Sequence, residues 1–360
     1  MHHTIVALER IHQPLPDAFD FGSDATYTLI THETTPTRAL LHERIREATI
    51  IIVTTITLDA ETLSANVAPH LRLVAVMATG TDLVDLAACK ARGIRVTNCP
   101  AANIDAVSDH AIGLYFAARR RTVMIDRLVR DVPSQWKANR SLGAYLRYKD
   151  GQPPLSCKDE VMGVVGYGAL GKNIAALGRA LGMEVLVAAR KPSSDPSSPC
   201  TNDVNPLLPP PTNTSTSTPS EDPPRTPFPE VLRRATVLIL SLPRTPSTLS
   251  LLSTPEFTQM HPYAVVVNIA RGGIVDEHAV LHALQTGLIA GYATDVLAVE
   301  PAEGAQDSPL LSDEAKDVNV TVSPHLAWFA QRTLRNLGAI LRETVEAWVR
   351  DGVEEKNVVV

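Results

Sequence analysis

Cationic surplus, metal-ligand spacing and long apolar runs are what this sequence has least of. Its 33 Lys and Arg stand against 39 Asp and Glu, a formal charge of -6 with pI near 6.0. Nothing in that balance draws the chain to nucleic acid or to an anionic membrane surface. The four cysteines, Cys89, Cys99, Cys157 and Cys200, show no CxxC spacing, so neither a disulfide framework nor a metal site is expected. No stretch approaches the ~18 apolar residues of a membrane span, and the first residues lack a basic leader with an apolar core. The expectation is a cytoplasmic protein with no membrane partner. No repeat of about 20–50 residues is visible, which sets solenoids aside. What remains is 360 residues, 44% hydrophobic and 20% charged, enough for two or three globular domains.

Short β-branched runs alternate with helical patterns: 4–8, 50–54, 73–77, 161–166, 184–188, 236–241, 264–269 and 318–322. Continuous apolar strands between helices describe parallel sheets covered on both faces, and the fold class is α/β. One series occupies about residues 1–100; a second opens at 161. Between them a helical pattern from about Asn103 to Arg130 contains Arg119-Arg120-Arg121, read as a cationic helix end that suits the dipole rather than as a binding patch. A last helix is expected from about Ala330 to Asp351. Residues 192–229 are dominated by Pro, Ser and Thr and are expected to form a mobile, disordered surface loop interrupting a domain.

The run from Val161 to Ala189 carries Gly166-Tyr167-Gly168-Ala169-Leu170-Gly171. Three glycines at this spacing are weak alone, but these follow a buried-strand pattern, open an Ala-rich helix and lead to a second strand. Gly166 permits the sharp turn, Gly168 presents no Cβ to a pyrophosphate, and Gly171 lets helix and strand approach. The unpaired N–H groups at the helix start then face the phosphates. At the end of the second strand, where an acid would accept hydrogen bonds from ribose hydroxyls, stand Ala189, Arg190 and Lys191. Two cations suit a 2′-phosphate, so NADP(H) is expected over NAD(H).

Downstream, Arg271-Gly272-Gly273 ends a buried strand, Asp295 precedes Glu300-Pro301, and Ser323-Pro324-His325 follows. With the glycine turn, in this order and spacing, these resemble the D-isomer-specific 2-hydroxyacid dehydrogenases, closest in type to glyoxylate/hydroxypyruvate reductases and glycerate dehydrogenases. The stretches 78–85, 98–110 and 241–246 share the resemblance, which covers nearly the whole chain apart from the Pro/Ser/Thr segment.

The resemblance implies a Rossmann-type, doubly wound cofactor domain (103–324) inserted in a smaller flavodoxin-like α/β substrate domain (1–102 and 325–360), with substrate in the cleft between them. It implies a homodimer. It makes Arg271, Glu300 and His325 catalytic, and gives the substrate carboxylate the N–H groups of Thr79 and Gly80. Asp295 would hold the nicotinamide carboxamide, Leu242, Pro243, Ile269 and Ala270 would line the cofactor, and Tyr167 to Leu170 would face the pyrophosphate. The residue types suit the reaction independently. Adding hydride to a 2-keto acid builds charge on the carbonyl oxygen, an Arg fork can orient carboxylate and carbonyl, and a His held by a Glu can donate the proton.

The sequence departs from the family pattern in lacking the acidic residue near Ala189 and in carrying Asp109 where members often have Glu. No further regulatory domain is expected beyond the last helix, which disfavours a feedback-regulated phosphoglycerate dehydrogenase. Two rivals stay open at this stage: a dinucleotide-sensing corepressor-like binding protein on the same fold, and a dehydrogenase of another 2-hydroxy acid.

Overall fold

The computed structural model describes residues 1–23, 25–192, 222–350 and 357–360. Two compact units divide it. One comprises 1–103 with 329–360, the other runs from 104 to 328. The second extends past the expected boundary at 324 because the backbone N–H groups of His325, Leu326 and Ala327 all donate to Asp295, which binds these residues to the second sheet.

The first unit contains the strands β1 (His2–Ala7), β2 (Thr26–Thr31), β3 (Ile50–Val53), β4 (Leu73–Val76) and β5 (Arg95–Thr97), with helices α1 (Arg38–Ile45) and α2 (Leu86–Arg92). All pair in parallel in the order β2-β1-β3-β4-β5, the flavodoxin-like order. The closing helix Gln331–Arg350 completes this unit: Asn336 Nδ2 donates to Ala102 O at 3.0 Å, and Arg350 pairs with Asp20. After it the chain returns to β5, where Val359 N donates to Val96 O and Val96 N to Val360 O.

The second unit begins with α3 (Ile104–Arg119), α4 (Thr122–Arg130) and α5 (Gln135–Asn139). The helix expected from 103 to 130 is therefore broken: Arg121 sits in the left-handed region at φ 49°, where the helix cannot continue. Arg119 does end α3, but as a buried side chain whose Nη2 donates to Glu160 Oε2 at 2.8 Å, which is more than a complement to the helix dipole.

Then follow β6 (Val161–Val165), α6 (Ala169–Ala180), β7 (Glu184–Ala188), β8 (Arg225–Thr226), α7 (Phe228–Arg234), β9 (Val237–Leu240), α8 (Thr254–Phe257), β10 (Val265–Asn268), α9 (Glu277–Thr286), β11 (Gly291–Thr294) and β12 (Val320–Val322). The sheet order is β12-β11-β10-β9-β6-β7-β8, all parallel, a doubly wound arrangement that reverses direction between β6 and β9. Helices α3 and α6 cover one face through Leu114, Tyr115, Ile174 and Ala175; α7 and α9 cover the other through Val231, Leu232, Val280 and Leu284. Of the loop expected over 192–229, residues 193–221 lie outside the described residues. Its last part is structured instead: Arg225 and Thr226 pair with β7, and Phe228 is buried in the core at the start of α7.

Candidate active site

The glycine turn stands where β6 meets α6, at the strand-order reversal. Gly166 has φ +94°, and a Cβ there would lie 2.5 Å from Ser241 O. Ser241 Oγ donates to Gly166 O at 2.7 Å and Leu242 abuts the same turn, so β9 braces it. At Gly171 a Cβ would meet Gly166 O at 2.0 Å, which forces glycine for helix–strand contact. Gly168 differs. As the N-cap of α6 it has φ -78°, and a Cβ would meet nothing in the protein within 4 Å. Its missing side chain serves close approach of something other than the protein itself, which is what a pyrophosphate on the α6 N-terminus requires. The turn thus fits a dinucleotide.

At the end of β7, Ala189 donates its N–H to Thr226 O and presents no acid. Arg190 is exposed. Lys191 is engaged elsewhere, its Nζ 2.9 Å from Oε1 of the buried Glu256 and donating to Leu251 O. On the other side of the reversal, Ile269 and Ala270 follow β10 and are buried, while Pro243 is exposed after β9.

Arg271 follows Ala270 in a loop shaped by buried Asn268, whose Oδ1 accepts from Ala270 N and whose Nδ2 donates to Arg271 O. The next residue matters as much. A Cβ on Gly272 would lie 1.8 Å from Leu297 O, so this loop packs against the one that carries Glu300. Glu300 Oε1 accepts from Leu297 N at 2.7 Å, and its Oε2 lies 2.6 Å from His325 Nδ1. Both side chains stay partly open, His325 at 45% and Glu300 at 33%.

The electrostatics agree with this geometry. The Glu300 hydrogen bond raises the His325 pKa above 6.5; burial and the Arg271 charge oppose, while the charges of Glu300 and Asp295 assist. Burial pushes the Glu300 carboxyl up, but the His325 hydrogen bond and charge, the Leu297 amide and Arg271 outweigh it, and its pKa falls below 4.5. The Arg271 charge contributes to both shifts, lowering the Glu300 pKa and opposing the rise at His325.

Asp295 is 2% exposed and acts on the His325 turn. Its carboxylate accepts from Ser323 Oγ at 2.6 Å, Leu326 N at 3.0 Å and Ala327 N at 2.8 Å, and its carbonyl accepts from His325 N. These bonds hold His325 at φ 55°, unfavourable for a non-glycine residue. Sequence reading gave no role to three supports of this site: Asn268, Gly272 within the Arg271 motif, and His110 of α3, whose Nε2 lies 2.8 Å from Ser323 Oγ. The signal was present only as neighbours of motif residues.

In the first unit, Thr79 and Gly80 follow β4. Thr79 Oγ1 is within 3.2 Å of Cys99 O and Asn103 Oδ1, Asn98 Nδ2 donates to Thr79 O, and Gln13 Nε2 donates to Met77 O just before them.

A doubly wound parallel sheet with a glycine turn at its reversal, and an Arg, a Glu–His pair and a buried Asp on loops of the same unit, is the architecture of a dinucleotide-binding α/β protein. Residues 112–209 and 209–327 match the family described as D-isomer specific 2-hydroxyacid dehydrogenase, NAD binding domain. The chain is 34% identical over 318 residues to a glycerate dehydrogenase from Methylorubrum extorquens, covering 88% of each chain. It is 29% identical over 319 residues to a glyoxylate reductase from Korarchaeum cryptofilum, covering 88% of this chain and 85% of that one. Among solved structures, the NADPH-dependent glyoxylate/hydroxypyruvate reductase of Sinorhizobium meliloti in complex with citrate superposes with a TM-score of 0.72 at 25% identity, over 99% of this chain and 98% of that one. The chain belongs to the D-isomer specific 2-hydroxyacid dehydrogenase family. Among the described residues no helix is long and apolar enough to cross a membrane.

Proposed function

We propose that this chain reduces a small 2-keto acid, hydroxypyruvate or glyoxylate, with NADPH, and catalyses the reverse oxidation of D-glycerate or glycolate. The single observation that carries the reading is the Glu300–His325 contact at 2.6 Å with the Arg271 charge acting on both. The bound nicotinamide supplies or accepts the hydride. Arg271 binds the carboxylate and carbonyl oxygen of the substrate through its planar donors, which orients the carbonyl carbon. With Nδ1 turned to Glu300, His325 has Nε2 left for substrate, where it delivers a proton to the forming alkoxide and takes one back in oxidation. The hydrogen bond from Glu300 raises the His325 pKa and so favours the imidazolium form.

In the same reading, Thr79 and Gly80 give amide donors to the substrate carboxylate. Asp295 holds the His325 turn and receives the nicotinamide carboxamide, and Leu242, Pro243, Ile269 and Ala270 line the cofactor. The name of the M. extorquens relative supports glycerate as a product, and the names of the K. cryptofilum and S. meliloti proteins support glyoxylate and hydroxypyruvate. The lack of an acid at Ala189 and the exposed Arg190 support NADP(H).

A homodimer in the cytoplasm completes the proposal. Exposed Val123 and Val129 on α4, Val132, and Trp136 on α5 give an apolar surface suited to a second copy. Light scattering on the purified chain tests the dimer. A panel of 2-keto acids assayed with NADPH and NADH tests the function; turnover of neither hydroxypyruvate nor glyoxylate with either cofactor sinks it.

A further inference from the structure

Of the Arg190-Lys191 pair that the sequence offers to a ribose phosphate, Lys191 is committed to Glu256. Turning it toward a ligand would leave a buried carboxylate without its cation, which is costly. A second cation comes instead from β8. Arg225 is exposed and stands in register with Val187, near the end of β7 that leads into Ala189 and Arg190. Its guanidinium carbon lies 5.1 Å from the ring centroid of Tyr167, the residue between the first two glycines of the turn.

Lys172, in the first turn of α6, has its Nζ 5.8 Å from the same ring, but it also pairs with Asp222 at 2.8 Å and is partly neutralised. Among the described residues no carboxylate pairs with Arg225. A guanidinium held over an aromatic ring is attracted to it without using a hydrogen-bond acceptor, so its N–H groups stay available to phosphate oxygens.

The ribose of a dinucleotide whose pyrophosphate rests on the α6 N-terminus lies between the glycine turn and the end of the second strand, because that is where an acidic residue reads its hydroxyls. Arg225 is presented to this place from the neighbouring strand, about 4.8 Å from β7. We propose that Arg225, seated on Tyr167, is the residue of this chain that reads the 2′-phosphate, acting together with Arg190. The assignment rests on the NADP(H) reading above and deepens it. Tyr167 is then a positioning residue, holding the guanidinium edge toward the ribose.

The test is a binding measurement on the full chain, without turnover. Isothermal titration with 2′,5′-ADP and with 5′-AMP reads the contribution of the extra phosphate. The unaltered chain is expected to bind 2′,5′-ADP the more tightly. Arg225→Ala should weaken 2′,5′-ADP binding by about 10- to 100-fold, the range of a lost charge-assisted hydrogen bond, and leave 5′-AMP binding in place as proof of folding. Tyr167→Leu should reduce the same preference by a smaller factor. An Arg225→Ala chain that keeps the full preference overturns the assignment while leaving the NADP(H) reading standing. Equal affinities in the unaltered chain overturn that reading, and this assignment with it.

Discussion

His325 Nδ1 lies 2.6 Å from Glu300 Oε2, and the pair is part-exposed, with Arg271 acting electrostatically on both members. The contact raises one pKa and lowers the other, which fixes the sign of its pH dependence. The contribution from His325 is fully present below 6.5 and is lost as pH rises through its raised value. The contribution from Glu300 is fully present above 4.5 and is lost as pH falls through its lowered value. Between 4.5 and 6.5 the ion pair is complete. Keto-acid reduction should therefore hold up beyond pH 6.5 before declining, and Glu300→Gln should move that decline to lower pH. A pH profile of hydroxypyruvate reduction checks it; an alkaline limb unmoved in the variant contradicts the role given to Glu300.

His325→Ala removes the proton donor and leaves the glycine turn untouched. Turnover should fall about 10²- to 10⁴-fold while NADPH affinity, read by fluorescence titration, stays within a factor of two or so. Equal losses in both would point to a collapsed loop rather than a missing acid.

Gly168 and Gly171 separate binding from folding. Gly168→Ala adds a methyl that meets no protein atom within 4 Å, so its stability should change by less than about 0.5 kcal/mol while dinucleotide affinity falls. Gly171→Ala drives a Cβ to 2.0 Å from Gly166 O and should lose about 1–3 kcal/mol of stability as well as affinity. Urea unfolding and cofactor titration of both variants make the comparison.

Gly272→Ala is a test of the contact between the Arg271 and Glu300 loops. A Cβ at 1.8 Å from Leu297 O has to push them apart, so activity should drop sharply even though no functional group is removed. Activity close to that of the unaltered chain would show that the spacing of the two loops is unimportant.

Buried Arg119 and Glu160 offer a prediction far from the chemistry. Arg119→Met should cost about 3–5 kcal/mol by leaving Glu160 unpaired in the core, and the double variant Arg119→Met with Glu160→Met should recover much of it. Denaturant midpoints of the three proteins decide the matter.

The elements legible in the sequence are those whose signal is local. The strands β1, β3, β4, β6, β7, β9 and β10 read as largely apolar runs rich in β-branched residues because both faces are mostly buried. Strand β2, at a sheet edge, alternates in exposure and has no such run; β5 and β8 are too short, and β11 is Gly-Tyr-Ala-Thr. The site motifs were equally local, down to single residues. What could not be read was partnership across the chain. Lys191 meets Glu256 and Arg119 meets Glu160 over separations that spacing rules do not reach, and only the folded sheet shows that Arg225 stands beside Tyr167.

The last residues of the chain, 357–360, hydrogen-bond to Val96 and Asn98, at β5 and just past it. The polypeptide that finishes the first unit is thus translated only after all of the second. Since domains fold as units while the ribosome is still elongating, residues 1–103 must wait with an unfinished border while their successor is made.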